Sequence, residues 1–163
     1  MDALFTPWRL EFILSAKDGT GAGCIFCNAF AAGPSRENLV LWTGVHAAVM
    51  VNKYPYNNGH LLIFPRAHVD SLTGLSAAEL EATQREMALA EKVLRESYRP
   101  DGLNLGMNLG RAGGAGIADH VHWHVLPRWI GDANFLTTVV QVRLIPEVPE
   151  QTWDRLRSAY STR

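Results

Sequence analysis

The amino-acid sequence predicts an α+β domain with a mainly antiparallel sheet. Short apolar runs come first, one long helical pattern follows, and more short runs come after it, an order that favours antiparallel pairing over repeated βαβ units. Of the 163 residues, 47% are hydrophobic, which suits one globular core. We therefore expect one domain over residues 1–163, with roughly five strands, one long helix, a shorter C-terminal helix and a peripheral arm over residues 1–23.

The charge and the apolar pattern of the chain limit the partners that it is expected to bind. Fifteen Lys and Arg against sixteen Asp and Glu give a formal charge of −1, so nucleic acid is not the expected partner, although small phosphate compounds are compatible. No apolar run approaches the roughly 18 residues of a membrane span, and the charged start is unlike a signal peptide. The sequence thus predicts a cytoplasmic protein without membrane association.

The first elements after the arm are a cysteine pair and its flanking residues. Cys24 and Cys27 are the only cysteines, and a cytosolic CxxC binds metal or does redox chemistry more often than it forms a structural disulfide. A redox pair is expected at the start of a helix, whereas residues 28–38, with Gly33 and Pro34, look like a loop. The pair therefore predicts half of a tetrahedral zinc site.

The next residues predict three strands. Two apolar runs within residues 38–52 are split by Thr43 and Gly44, which indicates a β-hairpin. After a turn-rich stretch, the run HLLIFP predicts a strand that opens with His60. Gly59 directly precedes this strand, where a glycine would let the backbone approach a ligand closely.

A long amphipathic helix comes next. Ser76 and Glu79 form a capping box, and RPDG after Tyr98 is a stop signal. The apolar stripe, which we expect to pack in the core rather than form a groove, falls at helical spacing on Leu80, Thr83, Met87, Ala90 and Leu94.

The remainder of the chain predicts two strands around the histidine run and a final helix. Residues 103–110 predict a strand, and glycine-rich residues 110–119 lead from it to the histidines. Such a loop can turn backbone N–H groups toward an anion, although most glycine-rich loops are only turns and no Walker lysine follows. Residues 137–145 predict a short strand, and residues 147–160 a short helix.

Three of the six histidines alternate within residues 120–125, at His120, His122 and His124. On a β-strand these positions share one face, and the intervening Val121, Trp123 and Val125 pack the other. Three buried imidazoles on one face each need a partner, which favours a functional site over core packing. The run alone is compatible with metal ligation or with nucleophilic catalysis by one histidine.

The run HVHWHVL resembles the signature of the histidine triad superfamily of nucleotide hydrolases and transferases. The motifs CIFC, NKYPYNNGHLLIFPRAH and HVLPRW extend the likeness over most of the chain. LFTPWRLEFI, RWIGDANF and RLIPE most resemble the bacterial branch related to diadenosine tetraphosphate phosphorylases. The resemblance implies a HIT-like fold and a homodimer, and exposed Phe5, Trp8 and Trp153 would be costly on a monomer surface.

The resemblance also implies roles for the histidines. His122 would attack the α-phosphate and become a nucleotidyl-histidine, which suits an imidazole because it is both a good nucleophile and a good leaving group near neutral pH. His124 would contact the phosphate or the departing oxygen. His60 would complete the basic cluster around the phosphate.

Residues that bind the substrate follow from the same resemblance. Asn52 would hold the ribose hydroxyls, Met50 and Leu62 would line the base, and Asn108 would lie on the phosphate side. Many relatives carry Gln or Ser where this chain has Gly116. Either backbone N–H groups of residues 113–116, Gly114 among them, take over that bond to phosphate, or the leaving group is stabilised less.

For metal, the resemblance implies a Cys2His2 set of Cys24, Cys27, His68 and His120. Four protein ligands leave no open position, so the zinc would be structural. One triad histidine would then serve the metal and two the chemistry. No organic cofactor is expected.

The favoured function is cleavage of dinucleoside polyphosphates or nucleoside phosphoramidates at the α-phosphate through a covalent nucleotidyl-histidine. A zinc-dependent hydrolase with the triad as metal ligands is the alternative enzyme, and it predicts loss of activity with chelator. A non-enzymatic nucleotide-sensing module is the third hypothesis. The sequence leaves open water or phosphate as acceptor, the preferred base and the polyphosphate length.

Overall fold

The computed structural model describes residues 23–134, 137, 139 and 144–161. The elements of these residues, besides a 3₁₀ turn at Leu72–Gly74, are α1 (Ile25–Ala32), β1 (Val40–Thr43), β2 (Ala47–Val51), β3 (Leu61–Pro65), α2 (Ala77–Tyr98), β4 (Gly102–Met107), β5 (Trp123–Arg128) and α3 (Pro149–Ser161). No helix in these ranges is long and apolar enough to cross a bilayer.

The five strands form one sheet in the order β1-β2-β3-β5-β4, and every neighbouring pair is antiparallel. This confirms the predicted α+β fold. The register sets Met50 opposite Leu62, Leu62 opposite His124, and His124 opposite Gly106. Because directly paired residues point to the same face, one row of side chains crosses the sheet from the predicted base-lining residues to the triad.

The two faces of the sheet are covered by different helices. On one face, α2 and α3 pack on a large apolar cluster, to which β5 contributes Trp123 and Val125, as the alternation predicted. On the other face, Met50, Leu62 and Phe64 form a smaller cluster with α1. The histidines lie on this second face, beside α1.

Helix α2 begins and ends where the sequence predicted. Ser76 Oγ accepts the Glu79 N–H, and the Glu79 carboxylate accepts the Ser76 N–H, which completes the capping box. Arg99 caps the other end in the left-handed conformation. Four of the five predicted stripe residues are fully buried, and the buried face also includes Glu86 and Val93.

The expectation of a loop over residues 28–38 was wrong for residues 28–32, because residues 25–32 form helix α1 with Cys24 as its N-cap, and it was right for residues 33–38, which lie outside the helices and strands. Phe26 and Phe30 are four residues apart and pack on the sheet, which gives the segment a reason to be helical. The glycine and proline that suggested a loop mark only the helix end, where Gly33 takes φ 73°. Cys24 and Cys27 therefore lie at the start of a helix, and their position no longer argues against a redox pair. The distances between the proposed ligand atoms have to distinguish a redox pair from a metal site.

Strand β5 begins at Trp123, so the predicted start at His120 was three residues early. His120 and His122 precede the strand. Nevertheless, Phe26 contacts both rings, and the ring of His122 contacts that of His124, so the three histidines share the α1 face. The predicted alternation therefore places the side chains correctly although the strand boundary differs.

Gly59 has a structural role at the start of β3. Its φ is 71°, and a β-carbon there would lie 3.0 Å from Pro127 and 3.1 Å from Tyr98. Glycine is needed at this position for the left-handed backbone and the close packing that turns the chain into β3.

Some expectations fall on residues that the structure does not describe. Phe5 and Trp8 are among them, as are residues 138 and 140–143 of the predicted strand over 137–145. Thr137 and Val139 are helical and residues 144 and 145 are irregular, so a strand is wrong at these four positions. Trp153 is half-buried and donates its indole N–H to Val40 O at 2.9 Å, so the expectation that it is exposed was also wrong.

The homodimer stays a prediction. Within the described sheet, β4 is an edge strand with Asn104, Leu105 and Gly106 exposed, and an exposed edge can pair with a second chain. Sedimentation equilibrium at micromolar concentration measures this directly. A single species of monomer mass would contradict the prediction.

Candidate active site

His60 and His124 form a buried pair joined by a hydrogen bond of 2.9 Å between His60 Nε2 and His124 Nδ1. The direction of this bond follows from the backbone, because the Tyr56 N–H can only donate, and it points at His60 Nδ1 from 3.1 Å. In the neutral ring, His60 therefore carries its proton on Nε2 and donates to His124 Nδ1. His124 is left with an Nε2–H.

That second nitrogen of His124 is the unsatisfied atom of the site. His124 is 9% exposed, and its Nε2 has no hydrogen-bond partner among the described residues. A buried N–H without a partner costs free energy unless a ligand accepts it. The pair is thus arranged to present one donor to a bound molecule.

His122 has the opposite arrangement of protons. Its Nδ1 lies 2.9 Å from the carbonyl oxygen of His120, and a carbonyl can only accept, so Nδ1 carries the proton. Nε2 then holds a free lone pair. The rings of His122 and His124 are 5.0 Å apart, so a nucleophilic nitrogen lies next to a hydrogen-bond donor.

Burial keeps these imidazoles neutral. Desolvation, followed by the neighbouring histidines, lowers the pKa of His60 to about 3, and desolvation together with His122 lowers the pKa of His124 to about 4. Burial also lowers the pKa of His122, partly opposed by the bond to His120 O. His60 is wholly buried behind His124, so the predicted basic cluster is a neutral hydrogen-bonded pair near pH 7.

These depressed values predict a loss of stability in acid. The unfolded chain takes up the protons near the ordinary pKa of 6.5, whereas folded His60 and His124 resist until about 3 and 4. The free energy of unfolding should thus be highest above pH 6.5 and fall on acidification by about 1.4 kcal/mol per pH unit for each proton. Urea titrations at pH 7 and pH 4.5 measure the difference. His124→Gln should reduce the slope by about one proton, and equal stability at both pH values would contradict the prediction.

The predicted nucleoside-binding residues lie beside this pair. Asn52 Nδ2 is 3.1 Å from His60 Nδ1, and Asn52 Oδ1 accepts the Tyr54 N–H, so part of its capacity holds the loop before β3. Met50 and Leu62 are buried neighbours in the row that leads to His124. The structure therefore groups these three residues with the triad.

The glycine-rich loop over residues 110–119 connects the end of β4 to the histidine run. Met107 pairs with Trp123, so Asn108 and His122 lie just beyond the same end of the β4–β5 ladder. Asn108 Nδ2 donates to Gly114 O at 3.4 Å and braces the loop. Open space surrounds the position of a β-carbon on Gly116, so the absence of a side chain there is not required by packing.

The predicted metal ligands converge at the other end of the triad. One ligand atom each from Cys24, Cys27, His68 and His120 lies within 4.8 Å of all the others. The Sγ–Nδ1 distances are 3.3 Å for Cys24–His120, 3.4 Å for Cys27–His68 and 3.7 Å for Cys27–His120. A tetrahedral zinc with bonds of about 2.3 Å to sulfur and about 2.0 Å to nitrogen has sulfur–nitrogen edges of about 3.5 Å, so the set fits.

Protonation supports the same ligand set. His120 Nε2 donates to Pro65 O at 3.0 Å, which leaves Nδ1 unprotonated on the side of the thiols. Of the triad, only His120 belongs to a cluster with metal-ligand spacing in the described ranges. The arrangement does not support the alternative in which all three histidines hold one metal.

Two aromatic residues at the site were not predicted as functional. Phe26 is wholly buried against His120 and His122, and Tyr56 lies over His124 at 5.6 Å between ring centroids. The spacing of Phe26 and Phe30 could have indicated α1 and its buried face. Tyr56 stands among turn formers, and nothing in its local pattern marks it.

Comparison with known proteins identifies several relatives. Residues 35–129 match the HIT domain family. An AP-4-A phosphorylase of Mycobacterium tuberculosis is 36% identical over 160 residues, which cover 93% of this chain and 80% of the relative. A zinc-bound histidine triad family protein from Mycobacterium smegmatis superposes with a TM-score of 0.67 at 25% identity, over 86% of this chain and 94% of that one. A Plasmodium falciparum diadenosine triphosphate hydrolase, solved with cyclomarin A, has a TM-score of 0.63 at 18% identity over 80% of each chain, which supports the fold alone.

Proposed function

The chain belongs to the HIT domain family of enzymes, and on that premise we propose that it cleaves dinucleoside polyphosphates at an α-phosphate through a nucleotidyl-histidine. The observation that carries the proposal is the opposed protonation of two adjacent buried imidazoles. His122 offers a lone pair on Nε2, and His124 offers an N–H on Nε2. A nucleophile and a donor for the departing oxygen are the two groups that displacement at phosphorus requires.

In the first step, His122 Nε2 attacks the α-phosphorus, and the bond from phosphorus to the bridging oxygen breaks. The electron pair of that bond goes to the departing oxygen, which accepts a hydrogen bond from the His124 Nε2–H. The His122 ring becomes positively charged, and its Nδ1–H already donates to the His120 carbonyl, which stabilises that charge. His60 does not touch the substrate, so we assign it the positioning of His124.

In the second step, an acceptor oxygen attacks phosphorus, the phosphorus–nitrogen bond breaks, and its electron pair returns to His122 Nε2. Water as acceptor loses a proton to the solvent, whereas phosphate attacks through an oxygen that is already ionised. With water as acceptor, diadenosine tetraphosphate gives AMP and ATP. With inorganic phosphate it gives ADP and ATP. The 36% identity to an AP-4-A phosphorylase supports phosphate as the acceptor to test first.

The surrounding residues supply binding. We assign the nucleobase to Met50 and Leu62, the ribose to the remaining hydrogen-bond capacity of Asn52, and the phosphates to the loop that Asn108 braces. The Gly116 N–H is the donor that we assign in that loop, since Gly116 has no side chain to contribute, whereas the Gly114 N–H already donates to Arg111 O at 3.0 Å.

We assign structural zinc to Cys24, Cys27, His68 and His120. A bound zinc would hold α1 against the segment that precedes β5. Its four protein ligands leave no position for substrate, so the chemistry rests on His122 and His124.

Product analysis tests the proposed function. The protein is incubated with diadenosine tetraphosphate, with and without excess inorganic phosphate, and the nucleotides are separated by ion exchange. ADP with ATP identifies a phosphorylase, and AMP with ATP identifies a hydrolase. Tight binding of the dinucleotide without turnover would reject the enzyme and support a nucleotide-sensing module.

A further inference from the structure

We propose that Phe26 is a positioning residue that holds the imidazole of His122 in the orientation required for attack. The proposal rests on the nucleophilic role given above to His122. Phe26 is wholly buried, so it reaches neither solvent nor an open binding surface in this structure. Its effect on the reaction has to pass through the side chains that it contacts.

The contacts of Phe26 converge on the nucleophile. Its ring centroid lies 4.7 Å from that of His122 and 5.3 Å from that of His120. Its centroid also lies 4.7 Å from that of Phe64 in β3. Phe26 thus packs on the sheet, on His120, which is one of the proposed zinc ligands, and on His122.

His122 needs such a contact because a single hydrogen bond does not fix a ring. The bond from Nδ1 to His120 O anchors one atom, and the ring can still swing about that anchor. Phe26 contacts the ring at an interplanar angle of 40°, and His124 contacts it at 63°. Together the two neighbours limit the swing, so Nε2 keeps one direction.

Helix α1 is suited to hold Phe26 in place. Phe26 lies in its first turn, between Cys24 and Cys27, and both thiols point at histidines of the metal-ligand set. The helix has only eight residues and no side-chain hydrogen bond at its N-cap, so its own stability is small. Tertiary contacts at its first turn therefore determine where the Phe26 ring lies.

The chain provides a matched control on the same helix. Phe30 follows one turn later, and its described ring contacts are with Phe64 at 6.4 Å and with the Arg66 guanidinium at 5.6 Å. Replacing either phenylalanine by leucine removes an aromatic ring from α1. Only the change at Phe26 removes a contact with His122.

The experiment compares Phe26→Leu with Phe30→Leu in the zinc-loaded protein. We expect Phe26→Leu to lower kcat about 10- to 100-fold with KM changed less than about threefold, because misorientation of the nucleophile affects the transition state alone. Phe30→Leu should keep kcat within about threefold of wild type. Zinc content should stay at one per chain in both variants.

A second readout does not depend on turnover. In protein labelled with ¹⁵N-histidine, wild-type His122 should show one neutral tautomer with the proton on Nδ1. Phe26→Leu should broaden this signal or mix the tautomers, and Phe30→Leu should leave it unchanged. If wild type does not cleave dinucleotides, the proposed function fails, and the tautomer comparison still tests the role of Phe26.

Three results would overturn the proposal: wild-type kcat and His122 signal in a folded Phe26→Leu, equal losses in both variants, or a change confined to KM. The last result would mean that Phe26 shapes the binding pocket. If Phe26→Leu does not fold, Phe26→Met replaces it, because methionine is flexible and fills irregular gaps in a core.

Discussion

Replacing His122 with Asn should lower kcat by at least about 10⁴-fold, because asparagine cannot form the bond to phosphorus. Asparagine has similar size, and its amide can still donate to the His120 carbonyl that now holds Nδ1. Dinucleotide binding should therefore survive. Turnover is measured by product formation from diadenosine tetraphosphate, and affinity by calorimetry with the inactive variant.

Two further variants separate the roles within the pair. His124→Asn removes the donor to the departing oxygen and should cost about 10²- to 10³-fold in kcat. His60→Asn affects the departing oxygen indirectly, through the 2.9 Å bond to His124, so the loss in kcat should be smaller. If either variant loses more kcat than His122→Asn does, the assignment of His122 as the nucleophile is wrong.

The intermediate itself is open to detection. Wild-type enzyme is mixed with α-labelled substrate and quenched without acid, because a phosphoramidate is labile to acid. Label should stay with the denatured wild-type protein and be absent from His122→Asn. Near wild-type turnover in His122→Asn would rule out the covalent mechanism.

Local signals in the sequence predicted the parts of the fold that depend on local physics. The capping box of Ser76 and Glu79 is formed by neighbours in the chain, and α2 begins at that point. The alternation of three histidines with apolar residues fixed which side chains share a face. It could not fix where the β5 ladder begins, because pairing with β3 starts only at Trp123.

The unpredicted features depend on contacts between distant segments. Helix α1 is stabilised by Phe26 against β3 and the triad, contacts that span up to almost 100 residues of sequence. The neutral state of His60 depends on its burial behind His124, and the position of its proton depends on the Tyr56 N–H. Neither residue type nor spacing encodes which ring nitrogen carries a proton, and that decides which histidine can attack.

The metal site gives the second large expected effect. Replacing Cys27 with Ser should abolish zinc binding, since a hydroxyl does not replace a thiolate ligand. Structural zinc contributes about 10–16 kcal/mol of apparent binding energy in small domains. Because the larger apolar core of this protein also stabilises the fold, we expect the free energy of unfolding to fall by less than that, but by at least about 3 kcal/mol. That corresponds to a fall in Tm of roughly 10 °C. Calorimetry and metal analysis of protein purified without chelator measure both quantities.

The same variant separates structural from catalytic metal. His122 is oriented by the backbone carbonyl of His120 and by Phe26, and neither this bond nor the contact of Phe26 with Phe64 needs a bound metal. At a temperature where Cys27→Ser is folded, kcat should therefore stay within about tenfold of wild type. Chelator should lower the Tm of wild type and leave that of Cys27→Ser unchanged. Loss of activity with chelator in a still-folded wild type would instead indicate that a metal takes part in the reaction. If protein purified without chelator contains no zinc, the assignment of the zinc site is wrong.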